Sequence, residues 1–454
     1  MGRRPNMVMF FTDQQRWDSS GIAGNPEGLT PNLDRMARRG AFFEAPITPQ
    51  PLCTPARASL QTGRFATSTG VWRNGIPLGD EPDSLARVFS GAGYHTGYIG
   101  KWHLGDSSSK GPVREEQRAG YDYWLAANAL EHTSDAYSTS LWDAEGHEVT
   151  LPGYRVDAVA DAAIRHIDER SREEEPFFLF VSFLEPHHQN RRDDYPGPEA
   201  YSGRYTGAWM PPDLAALSGN AHQQLDGYYG MIKRLDEAYG RVMEALASLG
   251  LDDDTVVAFT SDHGSHFKTR NAEYKRSVHE ASVRVPLVIT GPGVPQGRYV
   301  SEVVSTVDLP PTLMDLAGVE VPASYQGRSL VGLLRSTDED WQDEAFIQVS
   351  ETEVARAVRT RRWKYGVVAR DADPLAEAAG EAYEEAYLYD LKADPYELTN
   401  LTGSPGHRRV REVLREKLLR WMDHAGERLP TEIHEAPQSP GPSQLRVEEM
   451  EAHQ

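Results

Sequence analysis

The chain reads PLCTPARASLQTGR from Pro51 to Arg64, a stretch that contains its only cysteine, Cys53. A lone cysteine cannot form an intramolecular disulfide, so any special use of Cys53 is chemical. The ordinary alternative is a small buried hydrophobe, which is how a free cysteine usually behaves. Prolines at positions 49, 51 and 55 and an arginine at position 57 are unusual neighbours for such a core residue. The pattern Cys-x-Pro-x-Arg therefore favours a chemical role.

Length and composition indicate a soluble globular enzyme. The chain has 454 residues, of which 39% are hydrophobic and 25% charged, enough for roughly two to three structural units around a large core. The formal net charge of −21 argues against a general nucleic-acid or membrane-surface binder. Any site for an anion must therefore be locally basic.

The N-terminal sequence and the cysteine count both help to predict the cellular compartment of the protein. A single cysteine fits a reducing environment. The apolar run that follows Met-Gly-Arg-Arg-Pro-Asn is too short for the core of a signal peptide. No apolar stretch approaches the ~20 residues of a membrane span. We therefore expect a cytoplasmic protein that crosses no membrane.

Short apolar runs alternate with helical patterns along the first three quarters of the chain. Such runs are typical of strands buried on both faces, and their alternation with helices predicts an α/β fold with a mostly parallel central sheet flanked by helices. The predicted strands are 7–11, 95–99, 177–183, 255–260 and 286–290, and the predicted helices are 31–39, 56–61, 82–93, 156–167 and 222–249.

After residue 340 the pattern changes to short antiparallel strands at 345–349, 354–360, 364–368 and 387–389, followed by a helix at 410–422. This predicts a smaller C-terminal α+β subdomain. The expected organisation is a catalytic α/β domain at 1–340, the α+β subdomain at 341–433, and a flexible or partner-wrapping tail at 434–454 that is rich in Pro, Ser, Gln and Glu. Residues 106–150 are polar and are expected to form an irregular insertion near the pocket.

Polar clusters follow four of the predicted strands. In a mostly parallel sheet, ligands bind beyond the carboxyl ends of the strands. Asp or His in a single turn is commonplace, but four such clusters at one edge predict a functional site. The clusters are Asp13-Gln14, Lys101 with His103, His187-His188 and Asp262-His263.

Two of these clusters are candidates for a metal site. Asp13, Gln14, Asp262 and His263 offer two carboxylates, an amide oxygen and an imidazole. Oxygen-rich sets suit Ca²⁺, Mg²⁺ or Mn²⁺, and the imidazole widens the choice toward transition metals. The alternative is two helix caps and a solvated histidine.

Together these motifs resemble those of the type I sulfatases, a formylglycine-dependent family with the alkaline-phosphatase-like fold. The resemblance covers about residues 5–425. The matching segments are 6–13, Cys53-Thr54-Pro55-Ala56-Arg57, Gly100-Lys101-Trp102-His103-Leu104-Gly105, Pro186-His187, Ser261-Asp262-His263-Gly264, Lys275 ahead of His279-Glu280, and, toward the C-terminus, 356–359, 363–365, 388–391 and 394–395.

The resemblance implies a modified nucleophile and a metal. In the family the cysteine is oxidised to formylglycine, whose hydrate supplies the nucleophile, so Cys53 would need a formylglycine-generating enzyme as a maturation partner. One divalent metal is implied, with Ca²⁺ as first choice and Mn²⁺ or Mg²⁺ as alternatives. Its implied ligands are Asp13, Gln14, Cys53, Asp262 and His263.

The resemblance also implies roles for the remaining polar residues. Lys101 and Lys275 would bind the sulfate oxygens. Arg57 would lie on the side of the site that holds the formylglycine and the metal. His187 would protonate the departing alcohol, and His103 would then remove a proton from the second hydroxyl of the hydrate. Candidate substrate-binding residues are Asn74, Arg64 and His188.

Three departures from the family pattern leave the substrate open. Gln14 stands where many members have Asp, His263 where many have Asn, and Ala56 where Ser is commoner. The first two resemble the subset that includes choline sulfatases and phosphonate monoester hydrolases. The implied activity is hydrolysis of a sulfate ester of a carbohydrate or other small organic alcohol.

Several alternatives stay open at this stage. A phosphonate monoester or phosphodiester hydrolase fits the same motifs, and an anion-binding protein with unmodified Cys53 is a non-catalytic alternative. Arg191 and Arg192 either bind a second anionic group of the substrate or are solvated charges of a surface loop. A homo-oligomer is left open.

Overall fold

The first strand, β1 (Asn6–Thr12), lies in the middle of the main sheet of the computed structural model, which describes residues 4–338 and 340–437. All seven of its residues are buried. It pairs in parallel with 177–182 on one side and 255–261 on the other. A run that is apolar on both faces suits this central position, because helices cover the sheet above and below.

The main sheet contains ten strands within the described residues. After β1 they are β2 (Ala41–Ile47), β3 (His95–Lys101), β4 (Tyr123–Ala127), β5 (Thr139–Trp142), β6 (Glu148–Leu151), β7 (Phe177–Ser182), β8 (Thr255–Ser261), β9 (Leu287–Thr290) and β10 (Arg298–Ser305). Their order across the sheet is β10-β2-β9-β8-β1-β7-β3-β4-β5-β6. Antiparallel pairing is confined to pairs that include β9 or β5, so the prediction of a mostly parallel sheet is confirmed.

Helices cover both faces of this sheet. The α-helices of the described residues are α1 (Pro31–Arg39), α2 (Cys53–Thr62), α3 (Ala66–Thr69), α4 (Leu85–Gly91), α5 (Leu130–Thr133), α6 (Arg155–Arg170), α7 (Pro212–Ala216), α8 (Ala221–Ser248), α9 (Glu280–Val283), α10 (Leu309–Leu316), α11 (Val331–Leu334) and α12 (Arg408–His424). One buried cluster packs α1, α6 and α8 against one face of the sheet, and a second packs α2, α4, α10 and α11 against the other. No helix of the described residues is both long enough and apolar enough to cross a bilayer.

The structure corrects several sequence-based boundaries. Strands β2 and β10 were not predicted, because Glu44 and Pro46 interrupt the apolar run of the first and Ser301 and Glu302 that of the second. The predicted irregular insertion at 106–150 is wrong in part, since β4, β5 and β6 extend the sheet there. Helix α2 begins at Cys53, three residues before the predicted start. Pro55 is accommodated because a helix's first turn does not need its N–H.

A second, five-stranded sheet forms the C-terminal part of the described chain. Its strands are β11 (Glu344–Val349), β12 (Val354–Thr360), β13 (Trp363–Ala369), β14 (Ala382–Asp390) and β15 (Glu432–His434). β11 to β14 pair antiparallel as predicted, and β15 adds in parallel to β14. Helix α12 shares a buried core with this sheet. Residues 438–454 of the predicted tail lie outside the described residues.

A buried ion-pair network joins the small sheet to the large one. Lys364 of β13 is fully buried, and its Nζ lies 2.9 Å from Glu280 and 2.7 Å from Glu397. Arg359 of β12 also pairs with Glu280 at 3.3 Å. Glu280 begins α9, five positions after Lys275, so this network anchors the segment that carries Lys275 into the site.

Candidate active site

Cys53 is the first residue of α2, next to the carboxyl edge of the parallel strands. All ten residues of this helix are buried. Its first turn has free N–H groups, and the N–H of Thr54 donates to Asn74 Oδ1 at 3.1 Å. The Thr54 hydroxyl donates to the carbonyl of His103 at 2.9 Å, which ties the helix to the loop after β3. A helix N-terminus favours negative charge, so the position of Cys53 suits an anionic group.

Arg57 lies one helical turn beyond Cys53 and joins the ends of several strands. Its Nη2 lies 3.0 Å from Asp13 Oδ2 and 3.2 Å from Asp262 Oδ2. Its Nη1 donates to the carbonyl of Lys101 at 3.0 Å and to Ser182 Oγ at 2.8 Å. The four-residue spacing of Cys-x-Pro-x-Arg places both side chains on one helix face, which is why the motif works as a unit.

Two lysines and a histidine surround the Cys53 sulfur. Lys275 Nζ lies 2.9 Å from Sγ, His263 Nε2 3.4 Å and Lys101 Nζ 3.9 Å. Burial raises the pKa of the Cys53 thiol, but Lys101, Lys275 and His263 outweigh it and hold the pKa well below its usual value. The site is therefore built to hold a negatively charged group at residue 53.

Four donor groups form a candidate metal centre. The ligand atoms of Asp13, Cys53, Asp262 and His263 lie within 4.8 Å of one another and are buried. His263 Nδ1 lies 2.9 Å from the carbonyl of Gly264. A carbonyl only accepts, so Nδ1 carries the proton and Nε2 is free to bind a metal.

The charges of this centre also fit a divalent cation. Burial and the negative charge of Asp13 raise the pKa of Asp262 despite Arg57 and His263. Burial opposes ionisation of Asp13 as well, but Lys101, His187 and Arg57 hold its pKa far below the usual range. The two carboxylates thus place negative charge at one buried point, and a bound cation would neutralise it.

Gln14 lies at the edge of this centre in a left-handed conformation, with φ of 68°. Its N–H donates to Asp262 Oδ1 at 3.0 Å. Its side-chain amide donates to the hydroxyl of Tyr195 at 2.7 Å, and its Oε1 lies 3.5 Å from Lys275 Nζ. A non-glycine residue held in this region is strained, as is common at functional sites. Coordination of a metal by Gln14 stays a prediction.

The two adjacent histidines after β7 occupy different environments. His187 Nδ1 lies 2.6 Å from the carbonyl of His188, so Nδ1 carries a proton, and Nε2 lies 3.2 Å from Lys275 Nζ. His188 lies between the rings of His187 and Tyr274, each 4.3 Å away. Burial, and then the charges of His187 and Lys275, lower the pKa of His188 far below its usual value. His187 thus presents Nε2 to the site, and neutral His188 supports it.

A cavity of about 280 Å³ opens beside His103. His103 is left-handed, with φ of 59°. Glu131, the second residue of α5, is buried against it: one carboxylate oxygen lies 3.2 Å from Lys101 Nζ and the other 4.0 Å from His103 Nδ1. Burial raises the pKa of Glu131, but Lys101, His103 and His187 lower it to about 2. The cavity is lined by Asn74, His103, Lys110, Glu131, His132 and Asn190 among others.

Glu131 and Tyr195 are site residues that the sequence reasoning missed. Glu131 follows the end of β4, a parallel strand next to β3. Recognising that strand would have placed Glu131 at the same sheet edge as Lys101. Tyr195 lies in a loop and touches Gln14, and no sequence signal singles it out.

The structure brings most predicted site residues together, but not Arg64. That residue follows the C-terminal end of α2, roughly 15 Å along the helix from Cys53. It pairs with Glu81 at 2.9 Å. Arg192 pairs with Asp135 and Asp194, so its charge is already matched.

A buried position beside two lysines at a helix N-terminus, next to a cluster of potential metal ligands on a mostly parallel sheet, suits a hydrolase of anionic esters. A family model described as Sulfatase matches residues 5–319. A second, described as N-sulphoglucosamine sulphohydrolase, C-terminal, matches residues 272–424. The chain belongs to the sulfatase family, and the prediction that it is an enzyme of this class is confirmed.

Individual relatives agree with this assignment over most of the chain. An ulvan-active sulfatase of Formosa agariphila is 30% identical over 93% of this chain and 82% of its own length. An N-acetylglucosamine-6-O-sulfatase of Bacteroides thetaiotaomicron is 26% identical over 92% of this chain and 86% of its own. The crystal structure of the sulfatase homologue YidJ from Bacteroides fragilis superposes with a TM-score of 0.82, at 25% identity over 94% of this chain and 97% of that one.

Proposed function

We propose that this protein hydrolyses a sulfate ester carried by a saccharide, with residue 53 as the nucleophile after oxidation of Cys53 to formylglycine. The observation that carries the proposal is the ring of Lys275, Lys101 and His263 within 3.9 Å of the Cys53 sulfur. Saccharide substrates are favoured because the relatives from Formosa and Bacteroides thetaiotaomicron are named for ulvan and N-acetylglucosamine-6-sulfate chemistry.

One divalent metal is part of this proposal. When bound, the metal would withdraw charge from the sulfate, and the hydrated aldehyde of residue 53 would supply the attacking oxygen. Asp13, Asp262, His263 and residue 53 would hold the metal, with Gln14 at the edge. The oxygen-rich donor set favours Ca²⁺, while the His263 nitrogen keeps Mn²⁺ open.

The two lysines would bind the sulfate oxygens. Lys101 is fully buried between Asp13 and Glu131, and Lys275 lies beside His187. A sulfate ester repels a negatively charged nucleophile, so two fixed cations next to residue 53 lower the barrier for attack. Arg57 does not need to touch the substrate, since its contacts hold Asp13 and Asp262 in place.

Proton transfer falls to the two histidines. His187 has its Nδ1 proton fixed by a backbone carbonyl, so a second proton on Nε2 can pass to the departing alcohol. His103 lies between the cavity and residue 53, where it can accept a proton during release of sulfate. Several residues that line the cavity, such as Asn74, Lys110 and Asn190, carry polar side chains that can bind the hydroxyls of a sugar.

The test is a paired substrate screen on protein co-expressed with a formylglycine-generating enzyme. Sulfated sugars, an aryl sulfate, choline sulfate and an aryl phosphonate would be compared, with Cys53→Ala as the control. We expect the fastest turnover on a sulfated sugar, and a rate lower by several orders of magnitude in the variant, because covalent catalysis is lost. Faster turnover of the phosphonate would favour the phosphonate monoester hydrolase instead.

The mass of the residue-53 peptide separates these enzymes from a non-catalytic anion-binding protein. An unmodified thiol after co-expression, with no turnover of any ester, would favour the non-catalytic alternative. Residence in the cytoplasm stays a prediction that fractionation of the source cell would check.

A further inference from the structure

We infer that Glu131 is a positioning residue for His103, and that it holds the Nδ1 proton of His103 so that Nε2 faces residue 53. The inference rests on the proposed function, since it assigns His103 the role of proton acceptor. Three observations carry it: the geometry of the pair, the unpaired buried Nδ1 of His103, and the fixed backbone of His103.

The Glu131 carboxylate is placed between the two residues that flank the reacting position. Its side chain is 4% exposed, with one oxygen 3.2 Å from Lys101 Nζ and the other 4.0 Å from His103 Nδ1. A separation of 4.0 Å is an ion-pair distance rather than a hydrogen bond. Catalytic contacts are often longer without substrate and tighten in the complex.

The buried Nδ1 of His103 needs a partner that Glu131 can supply. Within the described residues, this nitrogen is buried and has no hydrogen-bond partner, and Glu131 Oε1 lies 4.0 Å from it. An unpaired buried polar atom is costly, so a carboxylate placed beside it marks a contact that the site is built to make. Within the described residues, Glu131 is the carboxylate that pairs with His103.

Hydrogen bonds fix the backbone of His103, so its ring can move only by rotation about the side-chain bonds. Its N–H donates to the carbonyl of Asn128 at 2.7 Å, and its carbonyl accepts from Thr54 at 2.9 Å. The orientation of the imidazole is therefore decided by what its two nitrogens face. A carboxylate at Nδ1 selects the tautomer with the proton there and stabilises the imidazolium that forms when Nε2 accepts a second proton.

The competing role for Glu131 is a tether for Lys101 alone. The two roles differ in the step they affect. Loss of a tether would weaken binding of the sulfate and raise KM. Loss of His103 orientation would slow release of sulfate, lower kcat and let a covalent sulfate adduct accumulate on the residue-53 peptide.

A double-mutant cycle separates these roles in the matured, metal-loaded enzyme. Glu131→Gln should lower kcat by about 10–100-fold, as expected for the loss of an orienting partner, and should accumulate the adduct. In a His103→Ala background the same change should have little further effect, because two residues that act as one unit are not additive. Full additivity, or a rise in KM without a fall in kcat, would overturn the inference.

A matched control has the same chemical change elsewhere. Like Glu131, Glu427 is a buried glutamate that pairs with a cation. Its partner is Arg356 at 2.8 Å, and it lies in the C-terminal subdomain. Glu427→Gln should alter the melting temperature and leave the kinetics unchanged. A comparable loss of kcat in this control would show that the effect of Glu131→Gln reflects general destabilisation.

A second measurement needs no activity. In unmodified protein with ¹⁵N-labelled histidine, long-range ¹H–¹⁵N spectra report which nitrogen carries the proton, and His103→Ala assigns the signal. We expect the Nδ1-protonated form in the wild type and a mixed or reversed form in Glu131→Gln. An unchanged tautomer would overturn the inference, even if sulfatase turnover is found. Absence of turnover in the wild type would instead count against the proposed function.

Discussion

Lys275 Nζ lies 2.9 Å from Cys53 Sγ, although 222 positions separate the two residues in the chain. The carbonyl of Lys275 is held by His266 Nε2 at 3.0 Å and by the Asn271 amide at 3.3 Å. The positive charge is thus fixed against the reacting position by a loop whose own contacts determine its shape.

Removing this charge should impair chemistry more than folding. We expect Lys275→Ala to lower kcat by about 10²–10³-fold, the typical loss when one preorganised electrostatic contact is removed. Lys233→Ala, at a partly exposed position of α8, is the control and should retain wild-type kinetics. Steady-state kinetics and thermal melting of both variants check this, and a near-wild-type kcat for Lys275→Ala would contradict it.

Chelation should abolish activity and lower the melting temperature. A ligand that binds only the folded state stabilises it by mass action, by about 2.7 kcal/mol at 100 times its Kd. Asp262→Asn should remove both the bound metal and this stabilisation, measured by elemental analysis and melting with and without Ca²⁺. A chelated enzyme with full activity and an unchanged melting temperature would contradict the metal assignment.

The two histidines that we assign to proton transfer should respond differently to the leaving group. His187→Ala should slow sugar and alkyl sulfates by about 10²–10⁴-fold, the usual value of general acid help. It should affect a nitrophenyl sulfate much less, since nitrophenolate leaves almost unaided. His103→Ala should show little dependence on the alcohol and should accumulate the adduct seen by mass spectrometry. Equal sensitivity of both variants to leaving-group pKa would exclude these roles.

The network that joins the two sheets predicts a large stability effect. Lys364→Met would leave Glu280 and Glu397 buried without their shared cation. Removing one partner of a buried ion pair typically costs about 3–5 kcal/mol. Urea unfolding checks this, with the exposed Lys392→Met as the control. A change below about 1 kcal/mol would mean that Arg359 and other neighbours suffice.

His166 should make the fold sensitive to mild acid. Burial, followed by the charges of His95 and Arg170, lowers its pKa to about 3. Above the unfolded pKa of about 6.5, His166 is neutral in both states and the free energy of unfolding is unaffected. As the pH falls from 6.5 toward 3, the free energy of unfolding decreases, because only the unfolded chain then binds the proton. The loss at pH 5 amounts to about 2 kcal/mol.

The test compares the pH dependence of stability in two variants. His166→Gln should flatten the free energy of unfolding between pH 7 and pH 5, whatever its effect at pH 7. His222→Gln, at an exposed position of α8, should keep the wild-type slope. An equally steep slope in His166→Gln would show that other groups cause the acid sensitivity.

Local sequence was sufficient for the fold class and for most of the site. The apolar runs of β1, β3, β7 and β8 are buried on both faces, so composition alone identifies them, and each ends in a polar residue that the parallel arrangement brings to one edge. The spacing of Cys53 and Arg57 also predicts their common helix face, because one helical turn separates them.

Only the tertiary structure decided what reaches this edge from elsewhere. β4 is only five residues long and lies in an otherwise polar stretch, so it was not recognised without its partner β3, and Glu131 was missed until the strands were paired. Arg64 shares the Cys53 stretch, yet the length of α2 carries it away from the site. Local pattern encodes burial and periodicity, whereas long-range contacts such as that of Lys275 with Cys53 depend on how the loops between strands pack.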